Sequence, residues 1–423
     1  MKWLYDYKRL NKAILYLILA IFCEQIVNAI QTLALNLYLK ELGYTDPQIA
    51  NLTSYRFVAA LIFAVPFGLY IKSKSLRPVF ITALAALPMF AVLIIWAASL
   101  KIGWLLSLFL VGWGISQSAI GIATGPYILR NTPIEQHTLA LSMNSATWSS
   151  SFVLTGLLTW LLMQISPQFF TNYTILMLFS VLGFSGLFWA LRLPKNENIA
   201  EKRTKNIKRR EYYQYDWPLI IRTSIPNLLI AIGGGLAVPF MNLFFANIFG
   251  VTTAQFSLLS AITCVLVALG LLYVPTIKLK YGYNAITYTQ ILAIFLLALL
   301  AFSDFYSAYW WALPLAVLSY MLRQPLMNIA NPMTSEVSMY YVGDKNREMM
   351  SAIHSSIWSG SWFISSQLFR MMRQHELRYG TIILITVGLY IVGAYGFHLL
   401  IQKYKNKTKT KTLLLQAEPQ QQS

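Results

Sequence analysis

Apolar residues in this chain gather into runs of about 20, separated by short polar gaps, and a run of that length crosses a hydrocarbon core about 30 Å thick. Twelve runs are legible, at about 12–39, 48–71, 78–99, 104–129, 138–163, 171–192, 218–247, 254–276, 284–303, 308–330, 347–372 and 379–402. Two-sided alternation at strand length is absent. Helices, not a barrel, therefore satisfy the backbone in lipid. The pattern predicts an all-α integral membrane protein with twelve transmembrane helices. The first run is too long for a signal-peptide core and no small-x-small cleavage site follows it, so it reads as an uncleaved first span.

Composition supports this. Hydrophobic residues make up 57% of the 423 and charged ones only 11%, against roughly 25% charged in soluble domains. Lys and Arg (33) outnumber Asp and Glu (15), but they cluster in the gaps between runs, which argues against nucleic acid as a partner. Their placement sets the orientation. One side holds Lys2, Lys8, Arg9, Lys12, Lys72, Lys74, Arg77, the segment from Arg192 to Arg210, Lys278, Lys280, Lys345, Arg347 and the tail lysines. The other holds Lys40, Lys101 and a cluster of Arg370, Arg373 and Arg378, which runs against the trend. Both termini are expected in the cytoplasm, with the protein multi-pass in the inner (plasma) membrane. Cys23 and Cys264 lie inside apolar runs and imply neither a disulfide nor a metal site.

The longest polar interruption, residues 194–217, splits the runs six and six. It reads as a basic cytoplasmic linker resting on anionic lipid headgroups, between an N-terminal half (1–193) and a C-terminal half (218–402). Residues 403–423 form a polar tail. The halves are related. NSATWSSSFV (144–153) and HSSIWSGSWF (354–363) share Ser-x-x-Trp-Ser-x-Ser, pairing Ser145, Trp148, Ser149 and Ser151 with Ser355, Trp358, Ser359 and Ser361 at an offset of 210. Gly43 and Gln48 match Gly250 and Gln255 at an offset of 207, and Pro126 matches Pro332 near the ends of the fourth and tenth spans. Parallel repeats of this kind recur in transporters, whose substrate site lies at the repeat interface near the midplane.

The six-plus-six layout, the basic central linker and the duplicated halves resemble the major facilitator superfamily over essentially the whole chain. Short Arg-containing loops follow the fourth and tenth spans, Arg130-Asn-Thr-Pro and Asp344-Lys-Asn-Arg347. The loop after the second span, Gly68-Leu-Tyr-Ile-Lys72-Ser-Lys-Ser-Leu-Arg77, keeps that superfamily's Gly and final base but has Lys72 where an Asp is usual. Leu108 stands where many proton-coupled members carry a buried Arg. The resemblance implies a carrier working by alternating access as a monomer, with a small organic solute as its partner and no cofactor. Proton coupling, sodium coupling and facilitated diffusion all remain open.

Polar groups within the spans are the candidates for chemistry, because a charge at a helix centre costs about 2.5–3.5 kcal/mol and normally faces protein or water. Glu24, Gln25, Asn28, Gln31, Thr32 and Asn36 share an arc of about 140° on the first span. Glu24 is the candidate proton carrier; its neighbours Asn28, Gln31 and Asn36 are candidate solute ligands. Arg323 lies in the tenth span with Gln324, Asn328 and Asn331. It suits an anionic group or else neutralises Glu24; in the latter case removing both charges harms less than removing Glu24 alone. Arg56 is expected to snorkel or pair at a gate. The repeated stripe gives Asn144 and Trp148, and His354 and Trp358, as cavity-wall candidates, with its small hydroxyls serving either packing or the cavity. Gln117, and Asn242 one turn beyond the Gly233-Gly-Gly235 and Pro239 interruption, complete the set. Gly121-x-x-x-Gly125 reads as a packing motif.

Other classes fit less well. His137, His354, His375 and His398 show no metal-ligand pairing, and neither a His-Glu-x-x-His motif nor a phosphate-binding Gly-x-x-x-x-Gly-Lys is present. This argues against an enzyme or an ATP-driven pump. A lipid-handling protein or a non-transporting receptor on the same fold is the alternative.

Overall fold

Each apolar run forms a helix in the computed structural model of the chain, which describes residues 11–71, 74–194 and 215–417. The helices are α1 (Lys12–Glu41), α2 (Asp46–Ile71), α3 (Arg77–Ser99), α4 (Gly103–Asn131), α5 (Ile134–Ile165) and α6 (Asn172–Leu182, continued as Ser185–Leu191). After the linker come α7 (Trp217–Ala237, a 3-10 turn Val238–Phe240, then Met241–Phe249), α8 (Thr253–Leu272, continued as Val274–Tyr281) and α9 (Asn284–Phe305). α10 (Ala312–Val342), α11 (Asp344–Gln374) and α12 (Tyr379–Ala417) complete the chain, with no strand among the described residues. Most of the basic linker and the first ten residues lie outside the described residues.

Among the described residues, nine helices are long and apolar enough to span a membrane by composition alone. Of the rest, α10 and α11 carry Arg323 and the second polar stripe, and their polar residues lower the mean hydropathy.

Two boundaries differ from the sequence expectation. α10 begins at Ala312 because the preceding aromatics close into a turn, with Trp311 stacked on Tyr309 at 5.8 Å. It then continues to Val342, past the apolar run, where Glu336 pairs with Lys278 at 2.6 Å. α12 likewise carries the tail lysines on a helical extension to Ala417.

Odd-numbered helices start at the end of the bundle where α1 begins and the α12 span ends, the terminal end; even-numbered ones start at the opposite, far end. The duplication is visible in how the helices begin. At the far end, Thr45 N–H donates to Gln48 Oε1 at 2.9 Å and Thr252 N–H donates to Gln255 Oε1 at 3.0 Å, the same cap 207 positions apart. Gly43 and Gly250 precede these caps at φ +91° and +65°, a left-handed conformation that favours glycine. At the terminal end, arginines close helix C-termini. Arg130 donates to the Lys74 and Ile71 carbonyls at 2.9 and 3.2 Å, and Arg77 to the Leu191 carbonyl at 2.9 Å. The cations meet orphaned carbonyls and the negative pole of the helix dipole.

The halves meet along α2–α11 and α5–α8, with α1 against α7 between them. The small residues of the repeated stripe serve close packing, as Ser151, Thr155, Ser361 and Ser365 are all buried. Beside them, a Cβ on Gly156 would sit 2.5 Å from the Ser257 carbonyl oxygen of α8. Gly121 and Gly125 contradict the packing-motif expectation. A Cβ at either would meet nothing within 4 Å, since this face of α4 borders open space.

Gly156→Ala is therefore expected to push α5 off α8 and cost about 1–3 kcal/mol. Gly121→Ala should be neutral or slightly stabilising, since alanine is the better helix former. Thermal unfolding of the two variants in detergent checks this contrast.

Candidate functional site

A cavity of about 250 Å³ lies between the halves. From the N-terminal half it is lined by Asn28, Thr32, Arg56, Phe57, Gln117, Trp148 and Phe152. The C-terminal half contributes Pro239, Asn242, Phe256, Thr263, Cys264, Tyr320, Gln324, Asn328 and Trp362. Five of the residues picked out from the sequence, Asn28, Gln117, Trp148, Asn242 and Asn328, thus come together in one place. Gln31 and Asn36 line a small hollow adjoining it, together with Arg56 and Thr53.

The remaining candidates stand back from the wall. Gln31 turns toward α6, its Nε2 3.4 Å from Ser180 Oγ. Asn144 lies one turn before Trp148, toward the terminal end. His354 faces Ser335 of α10, Nδ1 to Oγ 3.4 Å. Trp358 is behind the wall and packs on Trp362 at 6.2 Å; it is Trp362 that reaches the cavity. The 210-residue offset contained this signal, because Phe152 and Trp362 are the next matched pair, four residues beyond Trp148 and Trp358. On α5 both rings of the pair line the cavity and touch at 5.0 Å.

The break in α7 explains why Asn36 and Asn242 are buried. Asn36 Nδ2 donates to the Pro239 carbonyl at 2.8 Å and to Asn242 Oδ1 at 3.1 Å. Asn242 Nδ2 lies 3.3 Å from the carbonyls of Thr32 and Leu33. Each half thus offers an amide to the other half's backbone, across the middle of the molecule.

Farther out, the far end is tied shut. Asp46 Oδ2 accepts from Arg373 Nη2 at 2.8 Å, from Arg373 Nε at 3.2 Å and from Tyr379 Oη at 2.7 Å. Asn247 Nδ2 approaches the same carboxylate at 3.2 Å. One turn along, Asn51 Oδ1 accepts from Arg370 and Gln367, and Gln367 also donates to Ser54 at 2.7 Å. The arginine cluster that ran against the charge trend is thereby explained. Arg370 and Arg373 bind the halves together, while Arg378 is exposed.

Toward the terminal end the picture reverses. Below Gln117 the α4 face passes through Gly121 and Gly125, which border open space. Below Asn328 the α10 face continues through exposed Asn331 and Pro332, and on α5 Trp148 leads to exposed Ser145 and Leu141. The cavity is closed at one end and flanked by exposed helix faces at the other.

Three charges sit in or beside this space, and none is ion-paired. Among the described residues the ion pairs are Lys278–Glu336 and Asp46–Arg373. Glu24 is buried; one oxygen accepts from Gln25 at 2.8 Å and the other has no partner. Gln25 in turn accepts from Asn28 at 3.2 Å, which connects Glu24 to the cavity wall. Arg323 is buried with Nη2 on Tyr390 Oη at 3.0 Å and Nη1 3.4 Å from Gln324 Oε1. The expectation that it neutralises Glu24 is not met, since the two groups lie on separate halves with other partners. Arg56 lines the cavity instead of snorkelling, its guanidinium 4.5 Å from the Phe57 ring centre and 5.2 Å from that of Trp113. Two such ring contacts supply about 0.5–2 kcal/mol each. The side chain is only half-buried, so the cavity meets the rest of the guanidinium.

Duplicated six-helix halves around a central polar cavity define the fold of a membrane transporter. The family model of the Major Facilitator Superfamily matches residues 17–366, and the chain belongs to that family. Solved structures agree with it on the fold. The nucleoside transporter NupG superposes with a TM-score of 0.72 at 16% identity, covering 93% of this chain and 99% of the other. A D-xylose–proton symporter gives 0.70 at 12% identity, with 93% and 97% covered. A bacterial homologue of the human lysosomal transporter Spinster, inward-facing and occupied, gives 0.69 at 15% identity, with 92% and 96% covered. No curated protein sequence matches the chain.

Two double-mutant cycles follow from this geometry. Glu24→Gln and Arg323→Gln should act additively on thermal stability, because the groups share no contact. Asn36→Leu and Asn242→Leu should not; once one amide is gone the second change adds little, with a coupling of about 1 kcal/mol.

Proposed function

We propose that the protein is a secondary transporter that carries a small organic solute across the plasma membrane by alternating access, with both termini cytoplasmic and the far end outside. The observation that carries this reading is the polar-aromatic cavity between two duplicated halves, latched at the far end and bordered by exposed helix faces toward the terminal end. That is the arrangement of a carrier open to the cytoplasm. It acts as a monomer, since each chain holds both halves of the site.

Asn28, Gln117, Asn242 and Asn328 hydrogen-bond the solute, and Trp148 stacks on it with Trp362 opposite. Arg323 orients Gln324 from behind the wall, Trp358 backs Trp362, and Gln31 and Asn36 shape the adjoining hollow. Asn144 and His354 flank the path from the cytoplasm. Glu24 is the proton-coupling residue, sensing the occupied cavity through Gln25 and Asn28. In the outward-open state the Asp46 latch and the Asn36–Asn242 contact part while the terminal ends close together. The break in α7, where Pro239 interrupts the ladder of hydrogen bonds, lets that helix bend as the halves rock.

Cys264, on the cavity wall, reports access in a Cys23→Ser background. In sealed vesicles of known orientation, a charged maleimide is expected to modify Cys264 from the terminal side and only slowly from the far side. Arg373→Ala, which removes the latch, should raise far-side labelling severalfold. Equal labelling from both sides, or no response to Arg373→Ala, would sink the alternating-access reading.

A further inference from the structure

Among the described residues, Arg56 is a cation on the cavity wall with no acidic partner and no hydrogen-bond acceptor. It lines both the central cavity and the adjoining hollow, yet no lining residue of either is Asp or Glu. Its Nε is buried with no hydrogen-bond partner, and its protein neighbours are the faces of Phe57 and Trp113. Ring contacts of this kind engage the flat guanidinium, whereas its N–H donors point outward in the guanidinium plane. Nothing on the wall uses those donors. Arg323 adds a second guanidinium outside any ion pair just behind Gln324, which is itself on the wall. The nearest carboxylate on the cavity's own hydrogen-bonded chain, Glu24, is reached only through Asn28 and Gln25.

The rest of the lining describes the other end of a ligand. Phe57, Trp148, Phe152 and Trp362 form an aromatic wall drawn from both halves, and Phe57 meets Trp362 edge-on at 5.2 Å. The volume of about 250 Å³ is below the usual range of about 300–1,000 Å³ for drug-sized ligands. It suits a body of one ring or a short branched chain.

We infer that the solute is a small organic anion, its carboxylate or phosphate seated on Arg56 and its apolar or ring body held between Trp148 and Trp362. The inference rests on the transporter reading above and names its substrate class. A bound oxyanion supplies the charge that Arg56 lacks and takes up the unused donors of its planar fork.

The test uses the full-length protein in detergent with charge-matched probes of one ring each: benzoate, phenyl phosphate, benzamide and benzylamine. Benzoate or phenyl phosphate is expected to raise the melting temperature and to protect Cys264 from maleimide, whereas benzamide and benzylamine do neither. Arg56→Gln should weaken the anion by about tenfold to a hundredfold, as loss of a charge-assisted hydrogen bond does. Arg56→Lys should weaken it less, and Arg222→Gln, at an exposed position, should leave it unchanged. Should Arg56→Gln fail to fold, Cys264 protection in the protein with Arg56 intact, compared between benzoate and benzamide, decides the question alone. If benzamide or benzylamine binds as well as benzoate, the anion assignment is overturned and the solute-carrier reading stands. If no probe binds while far-side labelling of Cys264 still responds to Arg373→Ala, the anion assignment falls on its own. Loss of both results overturns the two together.

Discussion

The closed far end is centred on one carboxylate. Asp46, at the start of α2, collects hydrogen bonds from Arg373, Tyr379 and Asn247, and so joins the N-terminal half to α11, α12 and α7 at once. The site is partly buried, with the Asp46 side chain 10% exposed and that of Arg373 22%. Water screens such a pair less than an exposed one, yet it still reaches both side chains. A fully buried pair would hold the protein in one state. A fully exposed one would contribute almost nothing. An intermediate strength suits a contact that forms and breaks in the proposed cycle.

Between this latch and the cavity lies a second contact of a different kind. Asn36 and Asn242 each place an amide on the backbone of the opposite half, where the α7 break at Pro239 leaves a carbonyl free. No formal charge is involved, so separating this pair costs the ordinary price of exchanging protein hydrogen bonds for water. The cavity therefore sits directly beneath uncharged bonds that part more readily than the latch beyond them. In the proposed cycle, a solute bound near Asn242 would touch this contact first.

Much of the architecture was legible in the sequence because hydrocarbon imposes one simple rule, and each run of about 20 apolar residues obeys it. The duplicated Gly, Thr and Gln positions survived because caps are local chemistry. The boundaries missed were those where the helix leaves the lipid, as in α10 beyond residue 330, since hydropathy cannot follow a helix into water. The candidate site was half legible. Asn28, Gln117, Trp148, Asn242 and Asn328 were found because polar or indole groups inside an apolar run are conspicuous. Phe57, Phe152 and Phe256 were not, because an aromatic ring looks the same whether it faces lipid, core or cavity. Of the readings offered for Arg56 and Arg323, snorkelling and charge balance with Glu24 did not hold, since the sequence shows that a charge lies within a span and not which neighbour it meets. Distance between halves is a tertiary fact.

The two seams between the halves are equivalent by duplication but not by chemistry. Along α2–α11 the contact is made of charges and amides. Along α5–α8 it is made by Gly156 lying against the Ser257 carbonyl. At the offsets that relate the halves, Asp46 corresponds to Thr253, Arg370 to Trp160 and Arg373 to Met163. The symmetry between the halves is thus broken at these positions, with one seam suited to polar contact and the other to close fit. Salt and water act mainly on the first; side-chain volume acts mainly on the second. In the proposed cycle, changes along these two lines would adjust how long each conformation persists without altering the chamber between them, so that kinetics and recognition would rest on separate residues.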